Sequence, residues 1–419
     1  MMAVRYEKII STLDIGSSKV SALIAGVDEG GTMHVLGTGQ RESKGVVRGC
    51  IADMQLAELS VRHAVEQAER IAGINIDRVW MGMSAGGLDS LLSPVEIDLG
   101  GDKVEQADID DLLTAGRANI DTRGKVVLHV SPTLYALDGN AGVANPLGLY
   151  ADRVGVEIHA VLADPSPVRN LDMTARASHL GVDAIVASPV AAGLACLSAE
   201  ERELGVAMVE MGAAITNVSV FIGGMLAGLV TLNHGGADIT DEIASVFGIR
   251  RAEAERLKCF HGSAITSPRD HQESLDVGPP GEPSQSERPR ITRAQLNAII
   301  SQRIDIMVAD IGRALKEMGF SNPGRHHIVL TGGGAELKGL ADHMQAALGR
   351  MVRVGRPTEL PGLPDAHSGP AFSTMAGLAL YANSNPSDLR LGLQGSDSAV
   401  KSSNAGVIAR ILQAIRENI

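Results

Sequence analysis

Two distant stretches of this chain carry one pattern. "LDIGSSKVSALIAG" begins at Leu13 and "VEMGAAITNVSVFIGG" at Val209, and each reads as a strand end, a tight turn of small residues and a second strand. Aligned, Asp14 stands against Glu210, Gly16 against Gly212, and Ser17-Ser18 against Ala213-Ala214. A repeated unit outranks local propensity in deciding a fold. The repeat therefore predicts an internal duplication, two related α/β halves whose hairpins face each other.

Such hairpins suit a particular ligand. Backbone N–H groups in a tight turn hold a polyphosphate well, and small residues are needed because a Cβ would obstruct the approach. "DIGSSK" and "EMGAAITN" could clamp phosphates from opposite halves, through Gly16, Ser17 and Ser18 on one side and Gly212, Ala213, Ala214, Thr216 and Asn217 on the other. Asp14 and Glu210 would stand where Mg²⁺ needs oxygen ligands, through water. Either turn alone could be an ordinary hairpin using Gly and Ser. A third turn, Gly332-Gly333-Gly334 in "VLTGGGAELKGL", would let a flat adenosine lie on the backbone, or could be a plain strand-to-helix connection. Three glycine turns in one duplicated chain favour nucleotide binding.

With 419 residues, at least two domains are expected. Hydrophobic residues make up 44% but aromatics only 2%, so the core must be built from Val, Ile, Leu, Ala and Met, the stock of α/β layers. A net charge of −12 argues against a general nucleic-acid binder, which needs clustered Lys and Arg. Cys50, Cys196 and Cys259 lack metal-ligand or disulfide spacing. The opening "MMAVRYEKIISTLDIG" has no secretory apolar stretch, so a reduced, cytoplasmic setting is expected. The uncharged run from Gly212 to Leu232 approaches bilayer length, but its alternation about Gly223-Gly224 predicts a buried hairpin.

Along the chain, strands are predicted at Lys8–Asp14, Lys19–Val27 and Met33–Gly39, then a helix at Asp53–Ala72 with Leu56, Leu59, Val61, Ala64 and Val65 on its apolar face. Domain I is assigned to 1–86 and 166–203, an inserted subdomain to 87–165, and domain II to 204–383. Residues 263–290, dense in Pro, Gly, Ser and charge, predict a mobile loop. After it a long helix should start at Thr292, capped reciprocally with Gln295. Residues 384–404 have the composition of a flexible linker.

The last segment, 405–419, contains "GVIARILQAIRENI". Val407, Ile408, Ile411, Leu412, Ile415 and Ile419 form one apolar stripe, with Arg410 and Arg416 beside it. So short a helix is marginal alone and needs a covering surface, and an anionic membrane interface rewards an aliphatic face with basic edges. Docking on its own domain or a partner helix is the other reading.

The order "TLDIGSSKV", "GVAMVEMGAAITNVSV", "HGGADITDEIA", "AERLKCFHG", "IVLTGGGAELKGL" and "GPAFSTMAGLA" resembles the actin-like ATPase superfamily and, within it, the FtsA family of bacterial cell-division proteins. "SKGVVRGCIADM", "HVSPTLYALDG", "NPLGLYADRVGVEIHAV" and the amphipathic C-terminus carry the narrower likeness, and the whole spans nearly the full chain. The resemblance implies an α/β, actin-like two-domain fold with duplicated hairpin-rich sheets flanked by helices, an FtsA-type inserted subdomain and a C-terminal amphipathic helix. It implies ATP and Mg²⁺ between the domains, with Glu255 and Lys258 flanking the adenosine, Lys19 approaching the phosphates, and Gly235 and Gly236 at the nucleotide. It implies tethering of the FtsZ polymer, through its C-terminal tail peptide, to the cytoplasmic face of the inner membrane at the division site, together with filament assembly and recruitment of later division proteins. The long helix carrying Arg303 and Arg313 belongs to the region where this family meets the FtsZ tail, and a basic exposed side there would suit an acidic peptide.

Where the superfamily has "DxGGGT", this chain has "EMGAAIT". The longer Glu210 and the methyls of Ala213 and Ala214 predict binding with, at most, slow hydrolysis. A pilus-assembly adaptor of the PilM type shares the body but would be recruited by another protein's peptide. A sugar or acetate kinase would need a general base, and no carboxylate stands out. His159, His179 and His234 read as core or solvated residues.

Overall fold

The computed structural model describes residues 6–143, 145–277, 290–320, 326–358 and 360–384. Two five-stranded sheets carry the body, and they are built alike. In the first, Tyr6–Ile15, Lys19–Asp28 and Met33–Glu42 form an antiparallel meander, and Arg78–Met83 and Gly181–Ala187 extend it in parallel beyond the first strand. The second repeats this plan with Val206–Met211, Thr216–Ile222 and Met225–Leu232, then Ile328–Thr331 and Val352–Val354. Register repeats as well. Asp14 faces Ser21 and Glu210 faces Asn217, while Gly16 N donates to Lys19 O at 3.0 Å and Gly212 N to Ile215 O at 2.8 Å. The duplication seen in the residues is thus a duplication of backbone hydrogen bonding. The Gly212–Leu232 run is a strand pair turning at Gly223-Gly224, and among the described residues no helix is long and apolar enough to cross a membrane.

Helix Met54–Ala72 starts at Asp53, whose carboxylate accepts from Gln55 N and Leu56 N, and ends at left-handed Gly73. Its buried face is not quite the one expected. Ala57, Ser60, Val61, Ala64, Val65 and Ala68 are inside, whereas Leu56 and Leu59 are 44% and 47% exposed. The cause is proximity: a Cβ on Gly39 of the neighbouring strand would lie 1.8 Å from Ala64 O, so the helix sits too close to the sheet for leucine.

Helices Ser188–Cys196 and Ser373–Asn383 pack on each other between the sheets, the first touching Val206–Met211 and the second Tyr6–Ile15. One hydrophobic core consequently runs through both halves, from Leu13 and Leu23 to Met208 and Phe221, with a second core under the long helix Arg293–Glu317. The long helix begins as predicted, with Thr292 and Gln295 capping reciprocally.

The insertion has its own sheet, in the order Asp89–Asp98, Arg153–Ala163, Val126–Leu137, Asn140–Val143, covered by helix Gln106–Ala118. Strand Asp89–Asp98 is hidden in the sequence by Pro94, which the sheet accommodates at its edge. The segment expected to be a mobile loop is partly built. Ser274–Asp276 pairs with Arg290–Thr292, and Asn297 on the long helix accepts from Ser263 N at 2.9 Å and donates to Asp270 at 3.0 Å. Those side-chain bonds, invisible to composition, tie the described part down.

Candidate nucleotide-binding cleft

Asp14 and Glu210 stand one residue before the end of the first strand of each half, in parallel register with Gly82 and Thr331 respectively. The carboxyl ends of parallel strands are where open α/β sheets receive ligands. Glu210 accepts a short hydrogen bond from Thr374 Oγ1 and another from Asn217 Nδ2 at 3.2 Å, and Asn217 is itself fixed by Thr231 at 2.8 Å. Thr374 also faces the other acid's surroundings: a Cβ on Gly82 would lie 3.1 Å from its methyl and 3.2 Å from Asp14 Oδ1. Burial pushes Glu210 up to about 7, and the nearby Asp14 charge adds to it. Burial likewise raises Asp14 to about 6, against the pull of Lys19. Two acids desolvated at one place fit a cation, and with it a polyphosphate.

Each turn is braced from outside. Ser17 Oγ accepts from Gly49 N at 2.7 Å and Ser18 O from Ser43 N at 3.0 Å, so the 43–49 segment lies along the first hairpin. The second turn is fastened to the start of helix Gly236–Phe247, with Gly236 N donating to Gly212 O at 2.9 Å and Ala237 N to Ala213 O at 2.6 Å. Gly235 is pressed on the same turn, 2.7 Å between its would-be Cβ and Ala213 C. Thr216 and Asn217 are buried within the strand, Thr216 donating to His234 O at 2.8 Å. They position the turn and Glu210; they do not open onto the cleft.

Lys258 Nζ donates to Gly236 O at 2.8 Å, to Thr240 at 2.8 Å and to Glu255 at 2.7 Å, and Thr240 also donates to Glu255. Burial would raise Glu255, but these donors hold it below its ordinary value. Lys19 Nζ stands 3.1 Å from the centroid of the Phe372 ring, and burial lowers it to about 8 while Asp14 and Glu336 oppose the fall. The third turn abuts the second acid's strand: Gly332, at φ 83°, would place a Cβ 2.5 Å from Met211 O, and Gly334 one 2.5 Å from Met211 Cγ. A cavity of 520 Å³ opens immediately after it, lined by Glu336, Lys338, Gly369 and Pro370. The structure thus gathers Asp14, Glu210, Lys19 and the three turns about one gap, with the Glu255–Lys258 pair at the second turn.

Several members carried no local signal. Thr374, Phe372 and Glu336 arrive from the C-terminal third of the chain. Arg48 crosses the gap, donating to Asn233 O and lying 3.5 Å from Asp238, whose carboxylate also accepts from Gly235 N at 2.7 Å. Arg303 is 3.5 Å from that same Asp238 and Arg313 pairs with Asp310, so the long helix spends both arginines within the second half. Arg313 remains exposed on the helix beside Asp310, while Arg303 is turned toward Asp238. His159 is buried against Ser90 at 2.7 Å, His234 lies 3.3 Å from Asp310, and His179 sits in a left-handed turn; none approaches the acids. Among the described residues no cluster of three or more His, Cys, Asp or Glu could hold a metal, so a cation at Asp14 and Glu210 would need water and phosphate as further ligands. Val407, Ile408, Arg410, Ile411, Leu412, Ile415, Arg416 and Ile419 lie outside the described residues.

Duplicated halves with identical strand order, an acid one residue before the end of the first strand of each, and glycine turns about the gap define an actin-like protein. Solved structures agree: a chain of the PilM–PilN type IV pilus biogenesis complex superposes with a TM-score of 0.62 at 18% identity, over 90% of this chain and 99% of that one. MreB5 of Spiroplasma citri bound to ADP superposes with a TM-score of 0.54 at 13% identity, over 90% and 97%. The family model for the cell division protein FtsA matches residues 207–377, and that for the SHS2 domain inserted in FtsA matches 86–162. The cell division protein FtsA of Agrobacterium fabrum is 36% identical over 98% of this chain and 95% of its own. The chain belongs to the FtsA family of cell-division proteins.

Proposed function

We propose that this cell-division protein binds Mg-ATP in the cleft and tethers the FtsZ polymer to the cytoplasmic face of the inner membrane, assembling into filaments and recruiting later division proteins. The observation that carries the nucleotide is the pair of desolvated acids, Asp14 and Glu210, near matching strand ends with Thr374 between them. Bound there, Mg-ATP would bring Mg²⁺ to offset the charge of these acids and a polyphosphate for the turns. The chain's own part is to hold: Asn217 and Thr374 orient Glu210, Lys19 offers a cation beside Asp14, and the braced Gly16 and Gly212 turns keep the backbone close. The methyls of Ala213 and Ala214 keep that approach looser than glycine would, which favours retention over turnover.

The membrane part rests on the 405–419 stripe, whose aliphatic positions and two arginines suit an anionic interface. Vesicle co-sedimentation tests it, using the full chain and a chain ending at Asn404, on anionic lipid, with and without Mg-ATP. Pelleting that needs the tail and grows with Mg-ATP is the expected outcome. If both chains stay in the supernatant under every condition, the tethering reading fails.

A further inference from the structure

Away from the cleft, a cavity of 370 Å³ lies between the inserted sheet and the second half's hairpin. Three carboxylates, Asp89, Glu157 and Glu317, are among its lining residues, and no Lys, Arg or His is. The remaining wall is largely aliphatic. Glu157 is the unusual member: it is 1% exposed, and its Oε2 has no hydrogen-bond partner among the described residues. Its neighbours explain why. On one side its strand neighbour is Pro94, whose side chain carries no polar group. On the other, the pairing with Val126–Leu137 slips between Val156 and Ile158, and Thr133 falls in that irregularity with its own hydroxyl sealed and unpartnered.

Buried polar groups are normally satisfied, and leaving one unpaired is unfavourable. Here an acid and a hydroxyl are left unpaired at one greasy cavity. Nearby charges do not answer the acid. Lys125 is engaged by Asp89 at 3.3 Å and by Gly87 O at 2.9 Å, Glu317 is another acid, and His159 is bonded to Ser90 with burial lowering it to about 4. Burial pushes Glu157 itself up to about 7, so near neutral pH it stands between its neutral and charged forms, and a cation would favour the charged one.

We propose that this cavity binds a small organic cation, an ammonium group on an apolar body, with the ammonium at the Glu157 carboxylate and the body against Leu134, Ile222 and Met225. The volume falls in the range of about 300–1,000 Å³ typical of small-molecule sites. Because Leu134 belongs to the insertion while Ile222 and Met225 belong to the second half, an occupant would clasp the two together. A Cβ at Gly223 would lie 2.9 Å from Leu134 Cγ, so the two elements already meet beside the cavity.

The test uses the full chain and n-hexylammonium as probe, with n-hexanol as the neutral counterpart, followed by methyl resonances of Met225 and Met318, which line the cavity, and of Met211, which does not. Saturable shifts of Met225 and Met318 but not Met211 are expected. Affinity should rise about tenfold from pH 6 to pH 8 as Glu157 ionises, while the probe stays protonated. Glu157→Gln should weaken hexylammonium at least tenfold and leave hexanol little changed. Absence of saturable shifts at Met225 and Met318, equal binding of amine and alcohol, or a flat pH profile in the unmutated chain would each overturn the proposal. The pH comparison needs no variant, so a folding defect in Glu157→Gln cannot obscure it.

Discussion

Thr374 donates its hydroxyl to Glu210 from a helix that packs on the opposite half, against Tyr6–Ile15. The placement of the second acid is therefore controlled by the first half. Thr374→Val keeps the shape and removes the donor, leaving Glu210 with Asn217 alone. Loss of one partner from a buried acid costs about 1–3 kcal/mol, so Mg-ATP affinity should fall between about 5-fold and 150-fold. Fluorescent-nucleotide titration of Thr374→Val and Thr374→Ser decides it; serine, which restores the hydroxyl, should recover most of the loss.

The raised acids also give the ligand-free protein a distinctive response to pH. Glu210 titrates near 4.5 when exposed and near 7 in the fold, so the folded state holds a proton that the unfolded state has released across that interval. Its stabilisation is complete below about 4.5 and is lost as pH rises through 7, a span worth roughly 3 kcal/mol. Asp14 adds a loss of the same sign between 3.8 and about 6. Glu210→Gln, which can accept from Asn217 Nδ2 with its carbonyl and donate its amide N–H to the Thr374 hydroxyl as the protonated acid does, should leave stability at low pH little changed and should flatten the decline between pH 5 and 7. Urea unfolding of both proteins at several pH values provides the comparison, with Glu157 and His159 contributing alike to each.

The hairpins, the two acids and the glycine turns were legible because a hairpin is encoded within some fifteen contiguous residues, by period-two alternation and turn chemistry. The Thr292–Gln295 cap was legible for the same reason. Thr374 at Glu210, Phe372 over Lys19 and Arg48 at Asp238 were not, since each joins residues that only the closed tertiary structure brings together. Leu56 and Leu59 misled for a related reason. Periodicity locates an apolar face, but the distance to Gly39 decides which size of side chain fits beneath it.

Arg48 spans the gap with its backbone at φ 47°, a conformation costly for a residue bearing a Cβ. Its contacts with Asn233 O and Asp238 help to hold the halves at their present separation. An exposed pair contributes little by itself, so Arg48→Ala should raise the nucleotide dissociation rate by only about 2-fold to 5-fold. Arg48→Gly should behave like alanine in losing the pair but relieve the backbone, giving a higher melting temperature than Arg48→Ala. Stopped-flow release and thermal melts separate the two contributions.

Ala213 and Ala214 bear on whether bound nucleotide turns over. The turn they form is clamped by Ala237 N on Ala213 O and by Gly235 behind it, so removing a methyl would open space without freeing the backbone. Ala213→Gly with Ala214→Gly should let the amides approach a phosphate more closely and raise single-turnover hydrolysis about tenfold, while ATP affinity changes less than about threefold. An unchanged rate would shift the brake to Glu210, whose extra methylene displaces its carboxylate relative to aspartate. Adding Glu210→Asp to the double variant then distinguishes the two: a rise seen only in the triple variant assigns slow hydrolysis to the length of the acid, and a rise already present in the double variant assigns it to the methyls.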